Sequence, residues 1–298
     1  MRTPTAIDYR RRLELFWGFV RASGLLTNTN EQLDQALVEF ADLQFFEGKG
    51  ASDGMKLKAA VVDYDPRLGA RWHCLLPRFS RALKAWASAA PGHSRAPLPW
   101  SHAVLIVNEL YVMGHPRLGL WVVLSFVCYL RPSEGLNVLV EDILRPSASS
   151  PHWSVQLHPE DRALPSKVGV FDDGIALDVP SLALLGPMLG RIMANRVKAQ
   201  KIFPYTYVQA KDLFKLACER LHIADPSPYR LRHGGASHDR ITGKRQLVEV
   251  KKRGRWATDA SVRRYEKGTL LQKTELEIRP NLLRRAALLG RDLSRLVG

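Results

Sequence analysis

The most informative part of the chain lies near its carboxyl end, where YRLRHGGASHDR (residues 229–240) is followed by VKKRGRWATDASVRRYEKG (residues 250–268). Residues 230–267 contain 12 Lys and Arg but only 4 Asp and Glu. Positive charge of this density is typical of a surface that binds a polyanion and releases its counterions. A solvated basic face is the alternative, and charge alone favours nucleic acid over it only modestly.

The surrounding composition is that of a globular protein whose charge is concentrated at one end. Of 298 residues, 46% are apolar and 24% are charged, and the formal net charge is +15. Residues 201–298 carry 22 Lys and Arg against 10 Asp and Glu, so most of the positive excess lies in the last third. A chain of this length favours two domains over one.

Cysteine spacing and hydropathy narrow the class of protein further. Cys74, Cys128 and Cys218 lie far apart without CxxC or Cys/His spacing, which argues against a disulfide framework and a zinc site and favours a reducing compartment. Charged residues interrupt the amino-terminal segment, so we expect no secretory signal. The longest apolar run, residues 119–130, has 12 residues, whereas a membrane helix needs about 20. We therefore expect a soluble protein without a membrane partner.

The hydrophobic pattern predicts a mainly α-helical chain with a small antiparallel β-sheet in its second part. Apolar residues recur at helical spacing through residues 7–90, with Asn30 as the expected N-cap of the second helix. Three prolines and a glycine in PGHSRAPLPW predict a linker, which places a domain boundary after residue 95. Beyond it we expect helices near 101–114 and 117–130, strands at 153–157 and 175–179, and mainly helix after residue 180.

A third motif lies far upstream of the two basic stretches. The run LRPSEGL at 130–136 places Arg131 101 positions before Arg232, and Pro132 suits the first position of a new helix. Trp256 precedes Tyr265 by 9 positions. In this order and spacing the sequence resembles the tyrosine recombinase (phage integrase) family. In that family a GLRxSE-like turn, a hairpin lysine, an HxLRH motif, an LGH or GGW motif and a tyrosine make up one active site.

Four residues match the family motifs position by position. Arg131 corresponds to the first family arginine, and the Ser and Glu of its motif follow at the expected offsets. Arg232, within LRH, corresponds to the second arginine. Trp256 takes the place of the His or Trp of the next motif, and Tyr265 follows at the usual spacing of the nucleophile. The combination is fairly specific, although each motif alone is weak.

Two further positions match less well. Lys167, in SKVG between the predicted strands, corresponds to the hairpin lysine by location only, with Lys201 as a distant rival. The family has His or Lys three residues before the second arginine, and this chain has Tyr229 there. A tyrosine can hydrogen-bond a phosphate but supplies no base at neutral pH. This departure puts catalytic activity in question.

The resemblance implies a two-domain, tyrosine-recombinase-like clamp that holds duplex DNA from opposite faces. Residues 1–95 would form a helical core-binding domain, and residues 96–298 a catalytic domain with a carboxyl-terminal helical tail. The implied function is that of a site-specific recombinase or integrase of a mobile element, acting through a 3′-phosphotyrosyl intermediate without a metal or other cofactor. A homo-tetramer on the DNA is also implied, located in a eukaryotic nucleus or in a prokaryotic cytoplasm and nucleoid.

Elementary chemistry supports the same set of residues. Cleaving a phosphodiester without a metal requires planar, permanently charged donors on the non-bridging oxygens, a role that suits Arg131 and Arg232. A phenol such as that of Tyr265 can form a covalent phosphate ester that conserves the bond for rejoining. Lys167, with a pKa lowered by neighbouring cations, would protonate the departing 5′-oxygen. The indole N–H of Trp256 would donate to a phosphate oxygen or close the site.

Other interpretations stay open at this point. Arg131 can lie along the end of an apolar helix with Glu134 as its partner, and Trp256 and Tyr265 can be structural aromatic residues. The same residues would serve a type IB topoisomerase, and Tyr229 leaves open a catalytically inactive, domesticated DNA-binding protein. An RNA-binding protein is disfavoured because the sequence contains no aromatic-rich stacking strand.

Three basic or amphipathic segments outside the motifs carry further expectations. KKRGR at 251–255 resembles a nuclear localisation signal but, beside the predicted site, is expected to face DNA. Apolar residues at steps of three and four predict an amphipathic helix over residues 282–296. That helix can dock on a neighbouring subunit, as in the family, or pack against its own domain. A stripe of Arg78, Arg81 and Lys84 can face phosphates, although snorkelling surface residues are commoner.

Overall fold

The computed structural model describes residues 3–69, 75–92, 96–162, 171–263, 265 and 268–293. The chain divides into two compact units, Met1–Ser94 and Arg95–Gly298. The described residues are mainly helical, and the second unit contains a three-stranded antiparallel sheet. The predicted fold class is therefore confirmed, whereas the functions assigned to residues 1–95 and 96–298 stay predictions.

Helices packed around an aromatic core form the described part of the amino-terminal unit. The helices are α1 (Thr3–Ser23), α2 (Asn30–Phe46), α3 (Ala51–Tyr64) and α4 (Pro77–Ala89). Phe16 and Leu37, both part of the predicted helical repeat, are completely buried in this core. The N-cap of α2 is Thr29 rather than Asn30. The Thr29 hydroxyl accepts the Gln32 N–H at 3.3 Å, and the Gln32 side chain accepts the Thr29 N–H at 3.2 Å, which together form a capping box.

The carboxyl-terminal unit holds the larger core. Its α-helices are α5 (Trp100–Val112), α6 (Pro116–Val127), α7 (Pro132–Leu136), α8 (Leu185–Met193), α9 (Tyr207–Arg220), α10 (Tyr229–Ile241), α11 (Leu247–Gly254), α12 (Asp259–Arg263), α13 (Gly268–Leu276) and α14 (Pro280–Arg291). Helix α6, which contains most of the longest apolar run, is buried along nearly its whole length. Within the described residues, no helix has both the length and the apolar character needed to span a membrane.

The sheet consists of three short strands in sequence order: β1 (Ile143–Leu144), β2 (Ser154–Leu157) and β3 (Asp173–Ala176). Val155 pairs with Ile143 on one side and with Ile175 on the other, and all three side chains are buried. Strands β2 and β3 coincide with or overlap the predicted strands. Strand β1 was not predicted, because two residues show no alternation that a pattern could detect. Residues 163–170, in the β2–β3 connection, lie outside the described residues.

Two glycines allow α10 to approach the preceding elements at backbone distance. A Cβ atom at Gly234 would lie 2.1 Å from the carbonyl oxygen of Leu98, and one at Gly235 would lie 1.9 Å from the carbonyl oxygen of Phe126. No side chain tolerates such contacts, so only glycine permits this packing. The close approach fixes the first turn of α10, which carries the second arginine of the predicted site.

The described part of the tail packs against its own unit. Helix α14 lies against α5, with Ala286 buried and Leu293 part of the main core. A Cβ atom at Gly290 would lie 3.8 Å from Val104 and 3.9 Å from Trp100 of α5. Of the two outcomes left open by the amphipathic pattern, packing against its own domain is therefore the one observed up to residue 293.

Candidate active site

Arg232, in the first turn of α10, is the buried centre of the site. Its side chain is 0% exposed and lies over the indole of Trp256, with Cζ 4.6 Å from the ring centroid. One terminal nitrogen donates to the carbonyl oxygen of Tyr129, and the other donates to that of Gly254. Its Nε–H has no hydrogen-bond partner in the part of the chain that the structure describes. The backbone of two other segments thus fixes the guanidinium, and its Nε–H is a donor that a ligand could use.

Tyr265 lies against the same indole and belongs to a cluster of aromatic rings. Its ring centroid is 4.2 Å from that of Trp256 and 4.7 Å from that of His233. The ring of His233 is in turn 5.3 Å from that of Tyr229. The Ser237 hydroxyl donates to the Tyr265 carbonyl oxygen at 2.7 Å, which ties the segment after α12 to α10. The structure therefore brings Tyr229, Arg232, Trp256 and Tyr265 together, as the sequence predicts.

The environment of Tyr265 acts on its phenol in two directions. Burial raises the pKa of the Tyr265 phenol, and the positive charge of Arg232 lowers it, with burial the larger effect. The neighbouring Tyr229 also raises the pKa of Tyr265. The phenol therefore stays protonated at neutral pH in the DNA-free protein, and forming a nucleophile requires more positive charge or a proton acceptor.

Arg131 enters the site from the turn that precedes α7, and Pro132 takes the first helical position as predicted. The Arg131 N–H donates to Glu134 Oε2 at 2.8 Å, and the Arg131 guanidinium is ion-paired with Glu134 Oε1. Burial lowers the pKa of Arg232, and the charges of Arg255 and Arg131 lower it further. Glu134 binds both Arg131 and Arg255, and Arg255 directly follows Gly254, whose carbonyl oxygen accepts from Arg232, so these contacts link the three arginines.

Sequence reasoning missed Arg255 as a site residue. Its backbone is left-handed, with φ of +56°, and its side chain is 5% exposed and reaches Glu134 Oε2 at 2.6 Å. Arg253 is also buried and donates to the carbonyl oxygens of Val127 and Ala176. These two arginines therefore do not form part of an exposed signal, whereas the expectation that KKRGR faces DNA stays a prediction. A run of charges does not reveal which side chains point inward.

The connection between β2 and β3 contacts the site where it leaves β2. His158, directly after β2, lies with Nε2 3.6 Å from Glu134 Oε1. Lys167 is outside the described residues, so its assignment as the hairpin lysine stays a prediction. Its rival, Lys201, donates to Asn137 Oδ1 at 2.8 Å, at the end of α7 rather than at the arginine cluster.

A buried polar network behind Arg232 fixes the carbonyl group that holds it. Tyr129 has an unusual positive φ of 49°, and its hydroxyl donates to Asp239 Oδ2 at 2.5 Å. Asp239 also accepts from Arg245 Nε at 3.0 Å, and Arg245 donates to Asp178 at 2.6 Å. Tyr129 is thus a positioning residue for Arg232. No motif in the sequence indicated it, because the contacts join segments more than 100 positions apart.

Two buried thiols predict a loss of stability at alkaline pH. Burial raises the pKa of Cys128 to about 11 and that of Cys218 to about 12, from an ordinary value of 9.0. The folded thiols stay protonated while the unfolded ones ionise, so stability is complete below about pH 9 and falls as pH rises toward these values. Between pH 9 and its folded pKa, each thiol should lower the free energy of unfolding by roughly 1.4 kcal/mol per pH unit. Denaturant titrations at a series of pH values from 8 to 11 give the free energy of unfolding at each pH. This free energy should fall less steeply with pH for Cys218→Ala than for the wild type, and equal pH dependence of the two proteins would contradict the expectation.

The site combines guanidinium donors that suit an anion with a tyrosine phenol in a region of low exposure. Arg232 has a donor that can bind a phosphate oxygen, and Tyr265 lies against the same indole. Within the ranges that the structure describes, no group of three His, Cys, Asp or Glu side chains is placed to hold a metal ion.

Comparison with known proteins identifies the fold. No protein-family model matches the chain, and no curated protein sequence matches it. A solved structure of a lambda integrase (residues 75–356) dimer bound to a COC′ core site matches with a TM-score of 0.61 and 15% identity, over 90% of each chain. The XerH site-specific recombinase bound to palindromic difH, in a post-cleavage complex, matches with a TM-score of 0.55 and 12% identity, over 82% of this chain and 71% of XerH. The fold is therefore that of the tyrosine recombinases, as the motifs predict.

Proposed function

We propose that this protein, which has the tyrosine recombinase fold, cuts and rejoins duplex DNA with Tyr265 as nucleophile. The observation that carries the proposal is that Arg232 and Tyr265 lie against the same indole of Trp256. Glu134 joins Arg131 to Arg255, which directly follows Gly254, whose carbonyl oxygen accepts from Arg232. Arg232 also keeps a buried N–H without a hydrogen-bond partner among the described residues. Such a donor is costly unless a ligand satisfies it, and a phosphate oxygen fits that need.

The proposed reaction exchanges one phosphodiester bond for another. The hydroxyl oxygen of Tyr265 forms a bond to phosphorus while the bond from phosphorus to the 5′-oxygen breaks, which leaves a 3′-phosphotyrosyl link and a 5′-hydroxyl. The phenolic proton leaves to water under the influence of the arginine charges. The 5′-oxygen takes a proton, for which we propose Lys167 as the donor. Rejoining reverses these steps with the 5′-hydroxyl of the same strand or of another strand.

The arginines would act chiefly on the transition state. Negative charge on the phosphate oxygens increases as Tyr265 attacks, and Arg131 and Arg232 would stabilise that charge in a site of low exposure. Because backbone carbonyl groups already hold Arg232, little reorganisation is needed when the phosphate enters. The indole of Trp256 would shield the reacting groups from water on the opposite side.

Both units are proposed to contact the DNA. Residues 201–298 supply most of the net positive charge, and Arg78, Arg81 and Lys84 are exposed on α4 of the amino-terminal unit. Phosphate contacts from such residues position a protein on DNA without reading its sequence. We further propose that the active form is a homo-tetramer on DNA and that the protein serves the integration or excision of a mobile element.

A covalent trapping experiment tests the proposed function. With duplex DNA that is nicked near the cleavage point, the short 5′-terminated fragment diffuses away, so a covalent intermediate accumulates. We expect the wild type to form a protein–DNA adduct that resists denaturation, and Tyr265→Phe to form none. Because the phenyl ring keeps its place against Trp256, the variant should bind DNA with nearly unchanged affinity.

The same assay separates the proposed function from its rivals. A wild type that binds DNA with a steep salt dependence but never forms an adduct would be a binding protein only. An adduct that leads to relaxation of supercoiled DNA without strand exchange between two DNA sites would indicate a topoisomerase. Trapping by Tyr265→Phe at the wild-type rate would refute Tyr265 as the nucleophile.

A further inference from the structure

The feature that carries a new inference is the ion pair between Arg255 and Glu134. The left-handed conformation of Arg255 ends α11 and directs the side chain into the protein. Both side chains of the pair are 5% exposed, and the distance between Arg255 Nη2 and Glu134 Oε2 is 2.6 Å. Arg255 Nε also lies 3.9 Å from Asp173 Oδ2. A buried carboxylate therefore has a second arginine as counter-ion besides Arg131.

The two oxygens of Glu134 serve different partners. Oε2 accepts the Arg131 N–H at 2.8 Å and binds Arg255, so it holds the backbone of the turn and the third arginine. Oε1 binds the Arg131 guanidinium, the group that would hold the substrate phosphate. When Arg131 moves from Glu134 to a phosphate, Oε1 loses that partner. An uncompensated buried carboxylate would oppose this movement strongly.

We propose that Arg255 is a positioning residue that neutralises Glu134 and so releases the Arg131 guanidinium to bind the phosphate. This inference rests on the proposed function and goes beyond it, because it gives Arg255, which is bound to Glu134, a part in the reaction through Arg131. Without Arg255, the negative charge of Glu134 would be balanced chiefly by Arg131, which would stay in the ion pair. Asp173 is not the main partner of Arg255. Burial raises the pKa of the Asp173 carboxyl, and its Oδ2 makes no hydrogen bond in the described residues.

The test is a charge-rescue experiment with the adduct assay at saturating DNA. Arg255→Gln should slow adduct formation by about tenfold or more, with DNA affinity changed far less. The double variant Glu134→Gln with Arg255→Gln removes the carboxylate that held Arg131, and its glutamine keeps an acceptor for the Arg131 N–H. We expect the double variant to be about fivefold faster than Arg255→Gln alone. A merely structural role predicts the opposite, a double variant no faster than the slower single variant.

Arg253 provides the matched control. It is buried in the same segment but is bound to Val127, Ala176 and Asp178 rather than to Glu134. Glu134→Gln should therefore not rescue Arg253→Gln, and rescue of both variants to the same extent would overturn the inference.

A second variant keeps the inference testable if Arg255→Gln does not fold. Arg255→Lys preserves the charge that compensates Glu134, so we expect it to form adduct within about threefold of the wild-type rate. A tenfold loss in folded Arg255→Lys would overturn the inference. If the wild type forms no adduct, the proposed function and the inference both fail. If the wild type forms adduct but the double variant is no faster than Arg255→Gln, the inference alone fails.

Discussion

Replacing Arg232 with lysine is expected to reduce adduct formation on the order of 10²–10³-fold, although the charge is conserved. The guanidinium reaches the carbonyl oxygens of Tyr129 and Gly254 at the same time and still presents Nε–H toward a ligand. An ammonium group on a flexible stem cannot satisfy two divergent acceptors and keep a fixed third donor. The loss should therefore appear in the rate of the chemical step, measured in single-turnover assays at saturating DNA.

The control for this prediction is the same substitution at a surface arginine. Arg220, on α9, is half exposed and ion-paired with Glu109 at 3.0 Å, away from the arginine cluster. Arg220→Lys should leave the adduct rate and the unfolding midpoint unchanged. Near wild-type activity of Arg232→Lys would show that Arg232 contributes only its charge. That result would contradict the proposed role of its guanidinium as a fixed donor to the phosphate.

Replacing Gly235 with alanine is expected to have the largest effect on stability. Its Cβ would lie 1.9 Å from the carbonyl oxygen of Phe126, so α10 must move away from the end of α6. Rigid backbone groups on both sides leave little room for adjustment, and we expect a loss of roughly 3 kcal/mol or more in the free energy of unfolding. Denaturant unfolding measures this loss directly. The adduct rate should fall as well, because Arg232 precedes this contact by less than one helical turn.

Gly18 in α1 is the matched control for the glycine substitution. It is also a helical glycine, but a Cβ there would meet no atom within 4 Å. Gly18→Ala should therefore stabilise the protein by about 0.5–1 kcal/mol through helix propensity alone. Equal effects of the two substitutions would show that the contact with Phe126 is not the cause.

Most of the fold was predictable from local patterns. The helical repeat that buries Phe16 and Leu37 is visible in the sequence, as are the proline at the start of α7 and the strands around Val155 and Ile175. Such features depend on neighbours within one turn or one strand. The N-cap of α2 was misplaced by one residue, because Thr29 and Asn30 are both good caps and only the reciprocal bond with Gln32 decides between them.

The candidate site was predictable only in part, and from a family resemblance rather than from local patterns. Arg131, Arg232, Trp256 and Tyr265 were found through their order and spacing, which reflect the resemblance rather than local physics. Arg255 was not predicted. Its own left-handed backbone turns its basic side chain inward, and no charge pattern encodes that direction. Neighbouring positions in a basic run can therefore have opposite environments.

The most direct test of the central claim is to identify the residue that carries the DNA. The trapped adduct should be digested with protease and nuclease, and the peptide that retains a nucleotide should be sequenced by mass spectrometry. We predict a phosphodiester on Tyr265 and none on Tyr229, another phenol of the same aromatic cluster. A nucleotide attached to Tyr229, or to any residue outside the cluster, would contradict the proposal that Tyr265 is the nucleophile beside the phosphate-binding arginines.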